Sequence, residues 1–244
     1  MDIQHKIIGK HIYHVEGVGS TNTELLTNAQ RYEHGDVLCA RRQHAGRGRY
    51  QRNWESQDGG LYMSILLKNI VKAESILPFI VLSALAVVRS LQSFVPQDIA
   101  IKWPNDVYVN KRKICGILAE SNIRDTEIRT VIGIGVNINN SVVDLKQLRN
   151  PAIALKDIVG HKVELSDILS TIIDYLDVFY RDFSAGNFSI YLPELNSLLY
   201  AKNQALDLNI SGKVKRVTPL AFTEDARLRC LEDGKETDIF LGEF

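Results

Sequence analysis

Between Arg41 and Arg52 the chain places five arginines beside two glycines and a tyrosine, with no acid among them. The segment "QHAGRGRYQRNW" (43–54) holds three of these arginines. Arginine presents a rigid fork of donors that fits phosphate or carboxylate oxygens in pairs. Glycine lets backbone approach a ligand closely and leaves the segment mobile. Three readings follow from the stretch itself: a loop that closes over an anion, an RNA contact, or a solvated basic surface. A second cluster is "KWPND" (102–106). Lys102 ends a short strand beside the stiff Trp103–Pro104 pair, a point charge suited to a negative transition state on phosphorus. Asn105 and Asp106 follow in a turn, within reach of phosphate or magnesium, or forming no more than an Asx turn. In "KICGILAE" (113–120), Gly116 interrupts an apolar strand, which marks close approach by a ligand or another backbone. In "GIGVNIN" (133–139), Gly133 and Gly135 thin a strand that ends at Asn137; a bulged core strand reads equally well.

Other chemistries find less support. "GRGRYQ" and "GIGVNI" lack the third glycine of the dinucleotide fingerprint, and there is no G-x-x-x-x-G-K-[ST] phosphate loop. His11 and His14 have no third ligand at useful spacing. Cys39, Cys115 and Cys230 are odd in number and far apart, without C-x-x-C, so neither zinc nor a disulfide framework is indicated. Such thiols suit a reducing cytoplasm, and a cytoplasmic protein is expected. With 29 basic and 29 acidic residues in 244, the chain lacks the basic excess of a general nucleic-acid binder. The amino terminus carries no signal-like apolar core. The longest apolar run, Ile76 to Val88, is too short to span a bilayer.

These residues need elements to position them. Lys10 to Val15 alternates as a strand. In "GVGSTNTELLTNAQ", Thr21 and Glu24 have capping-box spacing, placing Ser20, Thr21 and Asn22 at a helix start with unpaired N–H groups nearby. "GDVLCARRQ" and "LYMSILLKN" are the strands entering and leaving the arginine loop. Residues 73–95 form a buried apolar helix. "IAIKWP" is a strand stopped by Pro104, and "DVYVNKRKICGILAES" a hairpin turning at Asn110–Lys111. "TVIGIGVNIN" adds another strand, and helices follow over 165–183 and 190–199. From about residue 204 the pattern becomes short strands, which predicts a small barrel too small to hold much core alone. It should pack on the main domain.

Taken in order, "STN" (20–22), "GRGRYQRNW" (46–54), "KWPND", "KICGILAE" and "GIGVNIN" resemble the biotin–protein ligases. The motifs cover about residues 10–140. The resemblance implies an α+β fold: a mixed sheet with helices on one face, like the class II synthetases, over residues 1–200, and a small SH3-like β-barrel over 201–244. It implies activation of biotin by ATP and Mg2+ to biotinyl-5′-AMP, then transfer to a lysine of a carboxylase's biotin carrier domain. By this resemblance Lys102 and Arg47 are catalytic, Lys102 bridging the biotin carboxylate and the α-phosphate. Ser20, Thr21, Asn22, Gln43, Gly46 and Gly116 join them in holding biotin. Arg49, Arg52 and Trp54 meet the nucleotide with Lys102, and Asn105 and Asn137 are further nucleotide-side residues. No residues are assigned to the metal. One departure is Gln51, where the family commonly has glycine; it should alter the rate of loop closure, not the chemistry. About ten residues precede the first strand, too few for the DNA-binding module that some members carry, so the ligase-only form without DNA or membrane binding is expected, as monomer or homodimer. The alternatives are a lipoate or octanoate ligase or transferase, and a non-enzymatic RNA-binding module using the arginine loop with Tyr50.

Overall fold

The computed structural model of the chain describes residues 6–68, 76–95, 98–124, 127–142, 151–210 and 212–242. Its centre is a seven-stranded mixed sheet: β1 (Ile12–Val18), β2 (Val37–Gln43), β3 (Leu61–Lys68), β4 (Ile99–Lys102), β5 (Asp106–Val109), β6 (Arg112–Arg124) and β7 (Glu127–Val136). The spatial order is β1-β2-β3-β7-β6-β5-β4. Only β1 and β2 run parallel, because helix α1 (Thr21–Thr27) lies on the crossover between them, and a parallel pair needs such a crossover.

Alternation along the strands sends two sets of side chains to opposite faces. Val37, Cys39, Met63, Ile65, Leu67, Ile132 and Ile134 join the main core. There helix α2 (Leu77–Leu91), apolar on nearly every side, is sandwiched between the sheet and helix α4 (Leu165–Ser184). Each fully buried Leu, Val or Phe contributes about 1.5–3 kcal/mol by leaving water, so this layer is the main source of stability. On the other face Leu38, Leu66 and Val131 form a small cluster with Leu25 and Ala29 at α1. The long helices thus cover one face as expected, and the short α1 sits alone on the other, beside the strand ends that carry the site.

The helix expected over 73–95 runs Leu77–Leu91; residues 73–75 lie outside the described residues, as does Asn69 at the end of the third strand. The helix expected over 190–199 is instead a 3-10 turn, Phe188–Tyr191, followed by the short α5 (Leu192–Ser197) with Pro193 in its first turn. Proline suits a first turn and cannot sit inside a helix. A short helix α3 (Leu155–Val159), closed by Gly160 at φ 81°, has no sequence counterpart above.

The terminal strands β8 (Leu206–Ile210), β9 (Lys213–Phe222), β10 (Leu228–Glu232) and β11 (Lys235–Ile239) make a second, antiparallel sheet in the order β11-β10-β9-β8. Among the described residues no ladder joins β8 to β11. Leu208, Val217, Leu228 and Cys230 are buried and continuous with the main core, which is how so small a sheet acquires one. All three cysteines are buried; burial pushes the Cys39 thiol up to about 12, leaving it inert. No helix among the described residues is long and apolar enough to cross a membrane.

Trp103, fully buried, donates its indole N–H to the carbonyl of Ala226 at 2.9 Å, tying the end of β4 to the second sheet. Trp103→Phe should leave that carbonyl unpaired at a cost of about 2 kcal/mol, lowering the melting temperature by roughly 4–8 °C for a chain of this size. Thermal unfolding followed by circular dichroism checks this; an unchanged midpoint would remove the bond from the list of what holds the two sheets together.

Candidate functional site

The floor of the site is a place where the sheet has no side chains. Gly116 on β6 pairs with Gly135 on β7, and the ring of Trp54 lies directly on both. A Cβ at Gly116 would stand 2.8 Å from Trp54 Cζ3, and one at Gly135 2.6 Å from its Cε2 and Nε1. Any larger residue would push the indole off the sheet. Two residues back along β7, a Cβ at Gly133 would run into the side chain of Asn22. The three glycines are therefore a surface on which a loop and a helix start can lie flat.

One end of the site is neutral and closely hydrogen-bonded. Ser20 caps α1, and Thr21 and Asn22 are buried in its first turn. Gln43 at the end of β2 accepts from Thr21 N at 2.9 Å and Thr21 Oγ1 at 3.1 Å, while its amide nitrogen donates to Ser56 Oγ at 2.9 Å. Ser64 Oγ lies 2.6 Å from both Thr21 Oγ1 and Asn22 Oδ1; its single proton serves one of them at a time. Asn22 Nδ2 donates to Leu118 O and to Glu120 Oε2, at 3.2 and 2.8 Å. Each amide here has its orientation fixed by partners on both atoms.

The arginine loop is a narrow hairpin laid over this floor. Bridges join Gln43 to Ser56 and Arg47 to Asn53, Trp54 N donates to Gly46 O at 2.9 Å, and Gly48 N donates to Arg52 O at 2.7 Å. The tip is a 3-10 turn, Arg49–Gln51, with Tyr50 at φ 56° and Gln51 at φ 58°. Among its fastenings to the rest of the protein are His44 N on Val18 O and Ala45 N on Gly19 O, at 2.9 and 2.7 Å, Trp54 on the glycines, Arg47 Nη2 on Glu120 Oε2 at 3.0 Å, and Arg49. The last donates to Asn105 Oδ1 and to the carbonyl of Gly242, each at 3.1 Å. Arg41 and Arg42 are not part of this hairpin. Both pair with Asp58 on the surface, and the hydrogen bond from Arg42 holds the Asp58 carboxyl below its ordinary range.

The opposite end is cationic. Lys102 Nζ donates to Tyr108 Oη at 3.2 Å and stands 4.8 and 5.7 Å from the ring centroids of Tyr108 and Tyr200, which aims it by packing as well as by hydrogen bonding. Lys113 Nζ pairs with Asp106 Oδ1 at 2.7 Å and lies 5.4 Å from the Trp54 ring centroid. Asn105, bonded to Arg49 through its oxygen, uses its nitrogen on Ile117 O at 2.8 Å. The Trp103–Pro104 peptide is cis. Among the described residues no three His, Cys, Asp or Glu side chains gather as a metal site.

Between the two ends is a cavity of about 490 Å³. The structure brings Ser20, Thr21, Asn22 and Gln43 to one part of its lining, and Arg47, Arg49, Arg52, Trp54, Lys102, Asn105 and Gly116 to the rest. Two residues singled out in the sequence do not line it. Gly46 faces the other arm of the hairpin, where a Cβ would meet Trp54 O. Asn137 points its amide oxygen at Asn140 Nδ2, 3.0 Å away. Glu120, Lys113, Ser64 and Tyr108 are additions: Lys113 lines the cavity, and the other three bond to residues that do. Glu120 and Lys113 lie in "KICGILAE", where attention to Gly116 passed over them, and Ser64 is a polar residue at an inward position of an apolar strand, a signal in its own right.

A profile of the "biotin/lipoate A/B protein ligase family" matches residues 15–137. The chain is 31% identical over 193 residues to the "bifunctional ligase/repressor BirA" of Bacillus spizizenii, covering 77% of this chain and 59% of that protein's length. It is 32% identical over 155 residues to the "biotin–[acetyl-CoA-carboxylase] ligase" of Paracoccus denitrificans, covering 62% and 65%. A biotin protein ligase from Aquifex aeolicus, solved with biotin and ATP, superposes with a TM-score of 0.84 at 26% identity over 96% of this chain and 97% of that one. The family match spans the glycine floor, the capped helix start, the arginine hairpin and Lys102, and the chain belongs to the biotin/lipoate A/B protein ligase family.

Proposed function

We propose that the chain is an ATP-dependent biotin–protein ligase. The observation that carries this reading is a single cavity with a neutral, amide- and hydroxyl-lined end and a cationic end. Biotin has the matching polarity: a neutral ureido head that donates and accepts hydrogen bonds, and a carboxylate at the end of its chain. The names of the relatives above support the same acid.

In the first half-reaction a carboxylate oxygen of biotin attacks the α-phosphorus of ATP. The bond to the β-phosphate oxygen breaks, and pyrophosphate leaves with the electron pair. Both reactants are anions, so the barrier includes their mutual repulsion, which a fixed cation at the point of approach offsets without reorganisation. Lys102 takes that position, with Arg47 on the carboxylate side and Arg49 and Arg52 toward the phosphates. The buried Trp54 Nε1–H has no acceptor among the described residues, so a ligand atom would be its partner. Ser20, Thr21, Asn22 and Gln43 hold the ureido end. Mg2+ would enter as a companion of the nucleotide: Asp106, the acid in the described lining and paired there with Lys113, is the residue that would help to hold it. Bound there, the ion offsets charge on the phosphates.

In the second half-reaction the amine of a carrier lysine attacks the carbonyl carbon of the mixed anhydride, loses a proton, and AMP departs. Until then the anhydride must be kept from water. The hairpin of residues 44–56 does this by lying over the adenylate, and residues 1–200 carry the chemistry while the carbonyl of Gly242 in the terminal sheet helps to hold Arg49.

Pyrophosphate exchange into ATP should proceed with biotin and not with lipoate or octanoate; exchange with lipoate alone would reassign the acid within the same family. Lys102→Ala should fold normally and lose about 100-fold or more in that exchange, the scale of removing one preorganised charge from such a site; a near-normal rate would take Lys102 out of the reaction. Gln51 holds a left-handed backbone that costs a side-chain-bearing residue about 1–2 kcal/mol, partly offset by the greater freedom glycine gives an open loop. Gln51→Gly should therefore slow release of the bound adenylate by about 2–5-fold, measured by chase of labelled intermediate, and faster release would show that the fastened hairpin is not the retaining state.

A further inference from the structure

We infer that Glu120 is a positioning residue of the site: its carboxylate fixes Arg47 over the cavity and so latches the arginine hairpin to the sheet. Backbone bonds of His44 and Ala45 to Val18 and Gly19 hold the base of the hairpin, and Arg47 is a side-chain fastening beside the neutral end. One oxygen of Glu120, Oε2, takes both Arg47 Nη2 at 3.0 Å and Asn22 Nδ2 at 2.8 Å. It therefore joins three elements: the hairpin, the first turn of α1 and strand β6.

An exposed ion pair between two mobile side chains contributes little, because both must be ordered to form it. Glu120 differs in that its partner Asn22 is buried and immobilised on its other side by Ser64 and by Leu118 O. The carboxylate is thus aimed before the arginine arrives, and the ordering cost falls on Arg47 alone. The Arg47 side of the pair is 42% exposed and the Glu120 side 26%, so water reaches the latch and it can open and close. The contact uses one terminal nitrogen of a guanidinium that has five N–H donors in a plane. Its orientation is then set for a ligand oxygen at the remaining positions, and Glu120 acts on the ligand through Arg47 without touching it. No other acid of the described chain is paired with Arg47.

The effect on ligand rests on the ligase reading; the latch does not, and the two are measured separately. Hydrogen–deuterium exchange of the peptide spanning 44–56 in the ligand-free protein reads loosening of the hairpin, since Gly48 N and Trp54 N are bonded within it and a hairpin released from the sheet loses the support that keeps those bonds closed. Glu120→Gln and Glu120→Ala should speed exchange there about five-fold, leaving peptides of α2 and β3 unchanged, and the Glu120→Ala effect should vanish in an Arg47→Ala background, as coupling through one contact requires. In the exchange assay with biotin, Glu120→Gln should raise KM for biotin about five-fold with kcat and KM for ATP within twofold. Glu120→Gln keeps the shape and an acceptor at this position, so it serves where Glu120→Ala fails to fold. Unchanged hairpin exchange in Glu120→Gln, or an effect of equal size with and without Arg47, would overturn the latch. A parent protein inactive with biotin would sink the ligase reading and leave the latch to be decided by the ligand-free measurement.

Discussion

The contact between Trp54 and the bare backbone of Gly116 and Gly135 is the constraint from which the rest of the site follows. A sheet face ordinarily carries a side chain at every second residue, and such a face would hold a loop several ångströms away. Here two paired glycines bring the indole onto the strands themselves. That approach sets the height of the hairpin, and the height decides which partners its arginines can reach. Arg47 meets Glu120 and Arg49 meets Asn105 because both acceptors stand on strands or turns at the edge of that floor. The opposite face of the same strands is occupied by Ile117, Ile132 and Ile134, packed against the helical layer. The floor is therefore rigid for a reason unconnected with ligand.

Charge is distributed by the same geometry. The chain is neutral overall, and its arginine-rich segment divides into two parts with separate fates. Arg41 and Arg42 end β2 and are held on the surface by Asp58, whereas Arg47, Arg49 and Arg52 line the cavity. The acids that accompany the cavity are placed to aim cations rather than to cancel the field at its centre: Asp106 takes Lys113, and Glu120 takes Arg47. Lys102 is oriented by the rings of Tyr108 and Tyr200 and by the Tyr108 hydroxyl. Cation–ring contacts of this kind orient an ammonium without neutralising it.

Much of this was legible in the residues. The glycines at 116, 133 and 135 stood out because glycine weakens a strand unless something must come close. The helix start was read from the spacing of Thr21 and Glu24, whereas the cap is Ser20, which accepts from Thr23 N, and the Glu24 carboxylate takes Asn28 and Tyr32. Strand order was not legible, since β7 lies between β3 and β6 while sequence neighbours suggest only hairpins. The partners of the arginines were equally hidden. Glu120 lies 73 residues from Arg47, and nothing local distinguishes an outward glutamate on a strand from one that reaches a loop. Asn137 illustrates the converse: its place at a strand end next to two glycines suggested a ligand contact, yet a backbone turn a few residues later supplies Asn140 as its partner. Local pattern identifies where a chain can come close to something; which side chains then meet depends on register and crossover.

The terminal sheet shows how far such dependence extends. Its buried residues are continuous with the main core, and two of its carbonyls are used by the site region, Ala226 by Trp103 and Gly242 by Arg49. The first bond anchors the residue next to Lys102; the second anchors the tip of the hairpin. A sheet of four short strands has too little core for independence, so its docking and its own folding are one event. Loosening that docking would be felt at both ends of the cavity together, at the lysine through Trp103 and at the hairpin through Arg49. The small sheet is thus better understood as a wall of the site than as an appendage to it, and the backbone carbonyls it contributes do their work whatever side chains surround them.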